Sequence, residues 1–347
     1  MSNRAKYAGG SALLSPAQAL RRIAFGDSGF QTFDRATLDS TGQFLLNELM
    51  RLDQRQHLPL VATFWQRDID IRSDVTMGDE QSGFTNSGWA APGGVNPTGI
   101  NWASNNATAI PRAQLDIGLT TKPLRPWALE ASYSIFDLKN SIALGRPIDA
   151  AQVDVIDQKF DMDVDQMVFI GDTGVTATGL YNNTAVSPVN VINGAGGDTE
   201  WATKTPQEIL NDINTLLNAV WTASAVAIVP EELRLPPLQF GAIASMPVTL
   251  AGNESVLQYV ARNSISMAAN GKPLNILPNK WLTGRGAAGS DRMVAYTRRE
   301  DLVRYPLVPK MFTPVQYRGI WQSSTYYARL GEVELVYPTT VGYADGI

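Results

Sequence analysis

The chain has 347 residues, 28 Lys and Arg against 33 Asp and Glu, no cysteine and a single histidine, His57. Without cysteine there are no disulfides, thiolate metal sites, iron–sulfur clusters or cysteine nucleophiles, and one histidine leaves no His–His metal pair. A net charge of −5 argues against a generally basic nucleic-acid binder, while a charged fraction of 18%, against about 25% as the norm, suggests uncharged polar surface that is covered by something else.

In chain order, residues 1–35 read as an arm with a short helix started by Ser15 and Pro16. Its first 26 residues carry Arg4, Lys6, Arg21 and Arg22 and no acid. Composition alone favours a frayed terminus over an arm lying on a neighbour. The polar start Met1–Tyr7 is no signal peptide, and apolar runs such as Ala223–Val229 are too short to span a bilayer. The sequons at Asn106, Asn182 and Asn253 read as chance matches. A helix is expected near Leu38–Arg51, with Leu38, Leu45, Leu49 and Leu52 on one stripe.

Asp68–Arg72 alternates as a half-buried strand should, and Leu115, Ile117 and Leu119 do the same further on. Between them, Ser73–Pro111 holds no Lys or Arg, only Asp74, Asp79 and Glu80 as charges, and six glycines between Gly78 and Gly99. Phe84, Trp89 and Trp102 also lie there, and indoles in an uncharged loop need a surface to bury against. A long hairpin of about 16 residues each way would reach roughly 50 Å. An intersubunit arm, a disordered tip and an active-site lid all stay open on these residues.

Tyr133–Gly145 reads as a helix ended by glycine. Asp149–Ile170 reads as one helix, with Val153, Ile156, Phe160, Val164, Met167 and Val168 as its apolar stripe. Its aspartates Asp154, Asp157, Asp161 and Asp165 are expected on a solvated face. Asn182–Gly197 is loop-like. Thr205-Pro-Gln-Glu208 is a capping box with proline at the first helical position. Val226–Val229 is expected as a short buried strand, Glu254–Arg262 as a helix, and Leu274–Leu277 and Met293–Tyr296 as strands. From Tyr305 onward the pattern is β, with Gly331–Tyr337 alternating cleanly.

Several strings approach known chemistry and fall short. Asp161, Asp163, Asp165 and Asp172 fit four positions of a calcium loop, but Gln166 stands where the turn glycine must be and Asp172 where a bidentate glutamate is needed. Gly284-Arg-Gly-Ala-Ala-Gly289 is followed by a strand rather than the helix a dinucleotide site requires. Two Asp-Ser/Thr-Gly turns, at Asp27 and Asp172, are similar to the paired carboxylates of aspartic proteases. Each follows glycine, however, and Asp172 ends a helix. Gly26–Gly29 also resembles the nucleophile turn of chymotrypsin-like proteases, but the only histidine follows Ser28 and reads as structural.

The order of several segments resembles the tailed-phage major capsid proteins of the Hong Kong 97-like fold. They are the strands around Arg67–Asp74 and Gln114–Leu119, then Tyr133–Leu138 with Ala143–Gly145, and Phe169–Asp172 with Gly179–Asn182. Leu233–Pro237 with Ala242–Ala244, Asp291–Tyr296 and Tyr343–Ile347 complete the match, the last two resembling a branch related to encapsulin-like shells.

The resemblance implies an α+β chain with an N-terminal arm (1–60) and an extended β-hairpin loop (66–120). It further implies a peripheral domain built on a long spine helix (121–200 and 305–347) and an axial α/β domain (201–304). It implies self-assembly into hexamers and pentamers of an icosahedral virion shell around double-stranded DNA. No enzyme activity, cofactor, metal or membrane is implied, and the chain would be made in the cytoplasm of a host bacterium. Phe84, Trp89 and Trp102 would touch neighbouring subunits, and Arg4, Lys6, Arg21 and Arg22 would face the DNA. A portal would be a partner, with scaffolding and decoration proteins as further ones. A 60-residue arm leaves no room for an internal scaffolding segment, and the absence of Lys between Ser73 and Pro111 speaks against a loop crosslink. The alternatives are an encapsulin-like nanocompartment and an acid protease.

Overall fold

The structure is a computed structural model that describes residues 59–90, 105, 112–143, 148–248 and 254–347. His57, the segments 1–35 and 38–51 where helices are expected, the basic residues Arg4, Lys6, Arg21 and Arg22, and Trp102 lie outside the described residues.

A single helical turn, α1 (Trp65–Asp68), leads into β1 (Asp70–Arg72). The alternating string Asp68–Arg72 is therefore strand only from Asp70. Asp68 sits inside, because it is the acceptor for Arg234 Nε (3.0 Å), Asn279 Nδ2 (3.0 Å) and Arg67 Nε (2.7 Å). Next come β2 (Gln81–Ala90), β3 (Gln114–Pro123) and β4 (Arg125–Ser134). Ser134 Oγ accepts the N–H of Asp137 and so starts α2 (Ile135–Ala143). That helix begins two residues later than Tyr133, which belongs to β4.

The long helix α3 (Ile148–Phe169) has 22 residues, about 33 Å at 1.5 Å per residue. Ile156, Phe160, Val164 and Val168 form its buried stripe, as the spacing predicts. Of its aspartates Asp154 is exposed as expected, Asp157 and Asp161 are half-buried, and Asp165 is not on a solvated face at all. Asp165 is fully buried and accepts from the N–H groups of Phe64 and Trp65 and from Trp281 Nε1 at 2.6–3.0 Å. Asp163 accepts from Trp127 Nε1 and Lys159, and Asp157 pairs with Lys310. Three carboxylates of the calcium-like string, Asp163, Asp165 and Asp172, are thus engaged by the chain's own donors.

After α3 the chain reverses through Gly171 (φ 68°), then closes tightly on itself at Gly179. A Cβ on Gly179 would lie 2.3 Å from the carbonyl carbon of Phe169, so only glycine lets Leu180 and Tyr181 hydrogen-bond back to Val168 and Phe169. Asp172 caps a turn by accepting the N–H of Gly174; Asp27, the other carboxylate of the protease-like pair, lies outside the described residues.

The remaining strands and helices are β5 (Val189–Asn190), α4 (Pro206–Ala223), β6 (Glu232–Leu235) and α5 (Pro237–Ser245), then α6 (Val256–Asn263), α7 (Ile265–Asn270) and β7 (Asn275–Pro278). β8 (Arg292–Tyr296), β9 (Val303–Phe312), β10 (Gln316–Arg318), β11 (Trp321–Leu330), β12 (Glu334–Leu335) and β13 (Gly342–Asp345) complete the chain. Thr205 and Glu208 form the expected capping box of α4. Val226–Val229 is not a strand. Residues 224–226 turn immediately after α4, because Trp221 and Ser224 capture the backbone there. Gly331–Tyr337 is strand only at β12, and its alternate glutamates, Glu332 and Glu334, point inward.

Two sheets carry the fold. One has six strands, in the order β1-β9-β11-β10, with β4 along β11 and β12 on β9. The other has five, ordered β5-β13-β8-β6-β7. β8 is buried at all five positions because successive side chains point to opposite faces. Val294 and Tyr296 join the core with α3 and Tyr305, while Met293 and Ala295 join the core beneath α4. β13 divides likewise, Tyr343 to the first core and Ala344 to the second. Arg292 ties the two strands together, with Nε and Nη2 on the Asp345 carboxylate at 2.6 and 2.8 Å. Two of the segments that carry the resemblance are therefore neighbours in one sheet.

Candidate functional site

Among the described residues no three His, Cys, Asp or Glu side chains are placed to hold a metal. No helix among them is long and apolar enough to cross a membrane. The unusual surface is the β2–β3 ribbon, a two-stranded antiparallel sheet that neither larger sheet extends.

Its register pairs Thr85 with Leu119, Ser87 with Ile117 and Trp89 with Leu115. Directly opposed residues project to the same face, so Leu115, Ile117 and Leu119 make one apolar stripe beside two small hydroxyl residues. They are 66%, 62% and 69% exposed, where the alternation predicts half-buried side chains. The alternation is right and the burial is wrong, because no element among the described residues covers that face. Phe84, opposite Thr120, lies on the other face and is half-buried. The register thus places positions 84 and 89 on opposite faces. The ten paired residues of the described ribbon span about 33 Å; the tip of the expected hairpin lies outside the described residues.

The root of the ribbon is held by charges that no sequence motif indicates. Glu334 is fully buried and accepts from Arg304 Nε (2.7 Å), Arg72 Nη1 (3.3 Å) and Ser82 Oγ. Arg72 Nη1 also reaches Ser82 Oγ and the carbonyl of Gly83, both at 2.9 Å. On the other strand, Lys122 Nζ and Thr178 Oγ1 each donate to Glu332 Oε1 at 2.7 Å. Burial pushes the Glu332 carboxyl up, but these donors outweigh it and hold its pKa below the ordinary glutamate value. Val75, Leu124 and Val308 pack a small apolar plug beneath. The ribbon is rigid where it leaves the body and bare further out. The signal for this root was the pair of glutamates in an apolar alternation, which burial makes expensive unless they are paired.

A second uncovered apolar surface surrounds the Gly319-Ile320 turn between β10 and β11. Phe312, Tyr317, Ile320 and Trp321 are exposed there. The bond from Ile135 N–H to the Ile320 carbonyl brings the start of α2, with exposed Phe136, beside them.

This architecture is that of a phage capsid subunit. The capsid protein of Myoviridae phage XM1 superposes with a TM-score of 0.70 at 14% identity, over 87% of this chain and 98% of that one. A Mycobacterium phage Adephagia structure gives 0.56 at 11% identity (91% and 98%). The capsid of the native GTA particle gives 0.52 at 14% identity (96% and 99%). At such identities the likeness is one of fold. No curated protein matches the sequence. The major capsid protein family, however, matches residues 99–347, and the chain belongs to that family. It is a shell-forming structural protein of the virion that assembles with copies of itself, and this membership favours neither the nanocompartment nor the protease.

Proposed function

We propose that this chain builds the icosahedral shell of a tailed bacteriophage around double-stranded DNA, as hexamers and pentamers, with the β2–β3 ribbon as its arm onto a neighbouring subunit. The observation that supports the arm is the stripe Leu115, Ile117, Leu119. Large contiguous apolar surface left bare on one chain marks a place where another molecule sits, and in a shell the neighbours are copies. The root of paired carboxylates aims the ribbon, and β2 with the loop after it (81–111) carries no charge, which suits both five- and six-fold surroundings, since an unpaired buried charge would be costly in either.

In this reading residues 1–60 are the arm, 66–120 the extended loop, 121–200 with 305–347 a peripheral domain on the spine helix α3, and 201–304 an axial domain. The five-stranded sheet draws β5 and β13 from the peripheral segments, so the two domains share one wall. Trp89 and Trp102 extend the ribbon contact. Arg4, Lys6, Arg21 and Arg22 face the packaged DNA, and a portal with scaffolding or decoration proteins completes the particle. The chain is made in the host cytoplasm.

Electron microscopy of the purified chain should show closed shells. The triple variant Leu115→Ser, Ile117→Ser, Leu119→Ser should stay a folded, soluble monomer, and shells of ordinary yield from it would refute the arm. Nuclease-protected DNA in particles from infected cells tests the genome role. Ready tryptic cleavage after Arg4 or Lys6 in intact particles would refute the inward-facing arm.

A further inference from the structure

The turn after α4 is built at a conformational cost. Ala225 and Val226 have φ of 55° and 64°, a left-handed backbone that a β-branched residue rarely adopts. The turn is held there from several sides. Val226 N–H donates to the Trp221 carbonyl at 2.9 Å, and Trp221 Nε1 donates to the Val226 carbonyl at 3.2 Å. Ser224 Oγ donates to the carbonyl of Ile228 at 3.0 Å and accepts its N–H at 3.2 Å. The outcome of this bracing is a valine side chain presented to solvent, 61% exposed. Nothing in the body of the chain gains from that presentation.

The same module carries a hollow of the matching kind. Between β5 and α4 lies a groove of about 120 Å³ lined by Val189, Ile192, Thr215, Leu216, Ala219 and Met293. An apolar cavity of about 150 Å³ takes a benzene ring, so this one suits a branched aliphatic side chain. Val189 and Ile192 on its rim are 57% and 71% exposed. The only charge at its wall, Asp212, is matched by Lys204 Nζ at 2.6 Å. The turn Thr222–Pro230 is also uncharged. Neither surface would bury an unpaired charge against the other. Val226 does not fill its own groove, since it stands exposed.

We infer that Val226 of one subunit inserts into the β5–α4 groove of a second copy of this chain. Knob and hollow are different surfaces of one module, so the contact is heterologous and repeats head to tail, closing a ring when the rotation allows. The strain at Val226 is then explained: a rigid knob loses no conformational freedom on docking. This inference rests on the shell reading above, because it takes the second copy from it.

The absence of cysteine allows a direct test. The variant carrying both Val226→Cys and Ala219→Cys, assembled and then oxidised, should give a ladder of covalent dimers and higher multimers on a non-reducing gel. Each single variant should give none. Particles of the double variant that form but yield no ladder would overturn the contact and leave the shell reading standing. Failure of the unaltered chain to form particles would overturn both. A second variant separates docking from folding. Asn tolerates the left-handed region, so Val226→Asn should raise the monomer's melting temperature by about 2 °C. At the same time it should raise the concentration needed for assembly roughly tenfold. Assembly of Val226→Asn at the ordinary concentration would refute the knob.

Discussion

Strand β8 and the β3 strand of the ribbon carry apolar side chains at alternate positions, yet their surroundings are opposite. In β8 the alternation sends Val294 and Tyr296 into one core and Met293 and Ala295 into the other, and every position is buried. In β3 it sends Leu115, Ile117 and Leu119 to a face with nothing above it. β8 shows what this chain finishes alone, with two hydrophobic layers meeting on one strand. The ribbon shows an apolar face that the described residues leave uncovered, and in the proposed shell a neighbouring subunit covers it. The difference also separates two uses of charge. Around β8 the ions lock the chain to itself, through Asp68, Arg234, Arg292 and Asp345. At the ribbon they hold only the root, through Glu332, Glu334, Arg72 and Lys122.

The comparison breaks first at its closed side. Asp68→Ala leaves the buried Arg234 with Glu232 as its remaining carboxylate and strips the acceptor of Asn279 and Arg67, and should cost about 3 kcal/mol in urea unfolding of the monomer; an effect below about 1 kcal/mol would show that the strap 64–72 is not what closes the two cores. Acid probes the other side. The Glu332 carboxyl has a folded pKa below its unfolded one, so its contribution is present above about pH 4.3 and is lost as pH falls through the folded value. Hydrogen exchange at residues 119–125 should therefore accelerate below about pH 4, and Glu332→Gln should remove that pH dependence. Thr205→Ala strips the cap of α4 beneath the five-stranded sheet and should cost about 1 kcal/mol. The smallest effect on the monomer belongs to the ribbon. Replacing Leu115, Ile117 and Leu119 by Ser should change its unfolding free energy by no more than about 0.5 kcal/mol, while shells disappear. A large loss of monomer stability would mean that the stripe has a partner within the chain.

The elements that a short window specifies were legible. The capping box at Thr205–Glu208, the apolar stripe of α3 and the alternation of β3 each follow from the spacing of neighbouring residues, and the structure keeps them. Where a reading failed, a distant residue had decided the matter. Asp68 looked like the start of a strand until Arg234, 166 positions away, drew it inside. Asp165 looked solvated until Trp281 and the turn at Phe64 capped it. Val226–Val229 looked like a buried strand because it is apolar and β-branched, yet Trp221 and Ser224 bend it outward into a turn. Of the ribbon, only β3 was visible: the other alternating string, Asp70–Arg72, pairs with β9, while the partner of β3 is Gln81–Ala90 from the glycine-rich segment, and the charged root was not visible either.

The sequence by itself determined that this protein lacks the side chains for thiol or paired-histidine chemistry, that charge is withdrawn from one long loop, and that its segments follow the order of a capsid subunit. Tertiary structure alone decided which faces are covered. Periodicity states that a strand has an apolar side, but not whether the layer above it comes from the same chain. That depends on contacts between residues far apart in sequence, and here the answer is opposite for β8 and for β3.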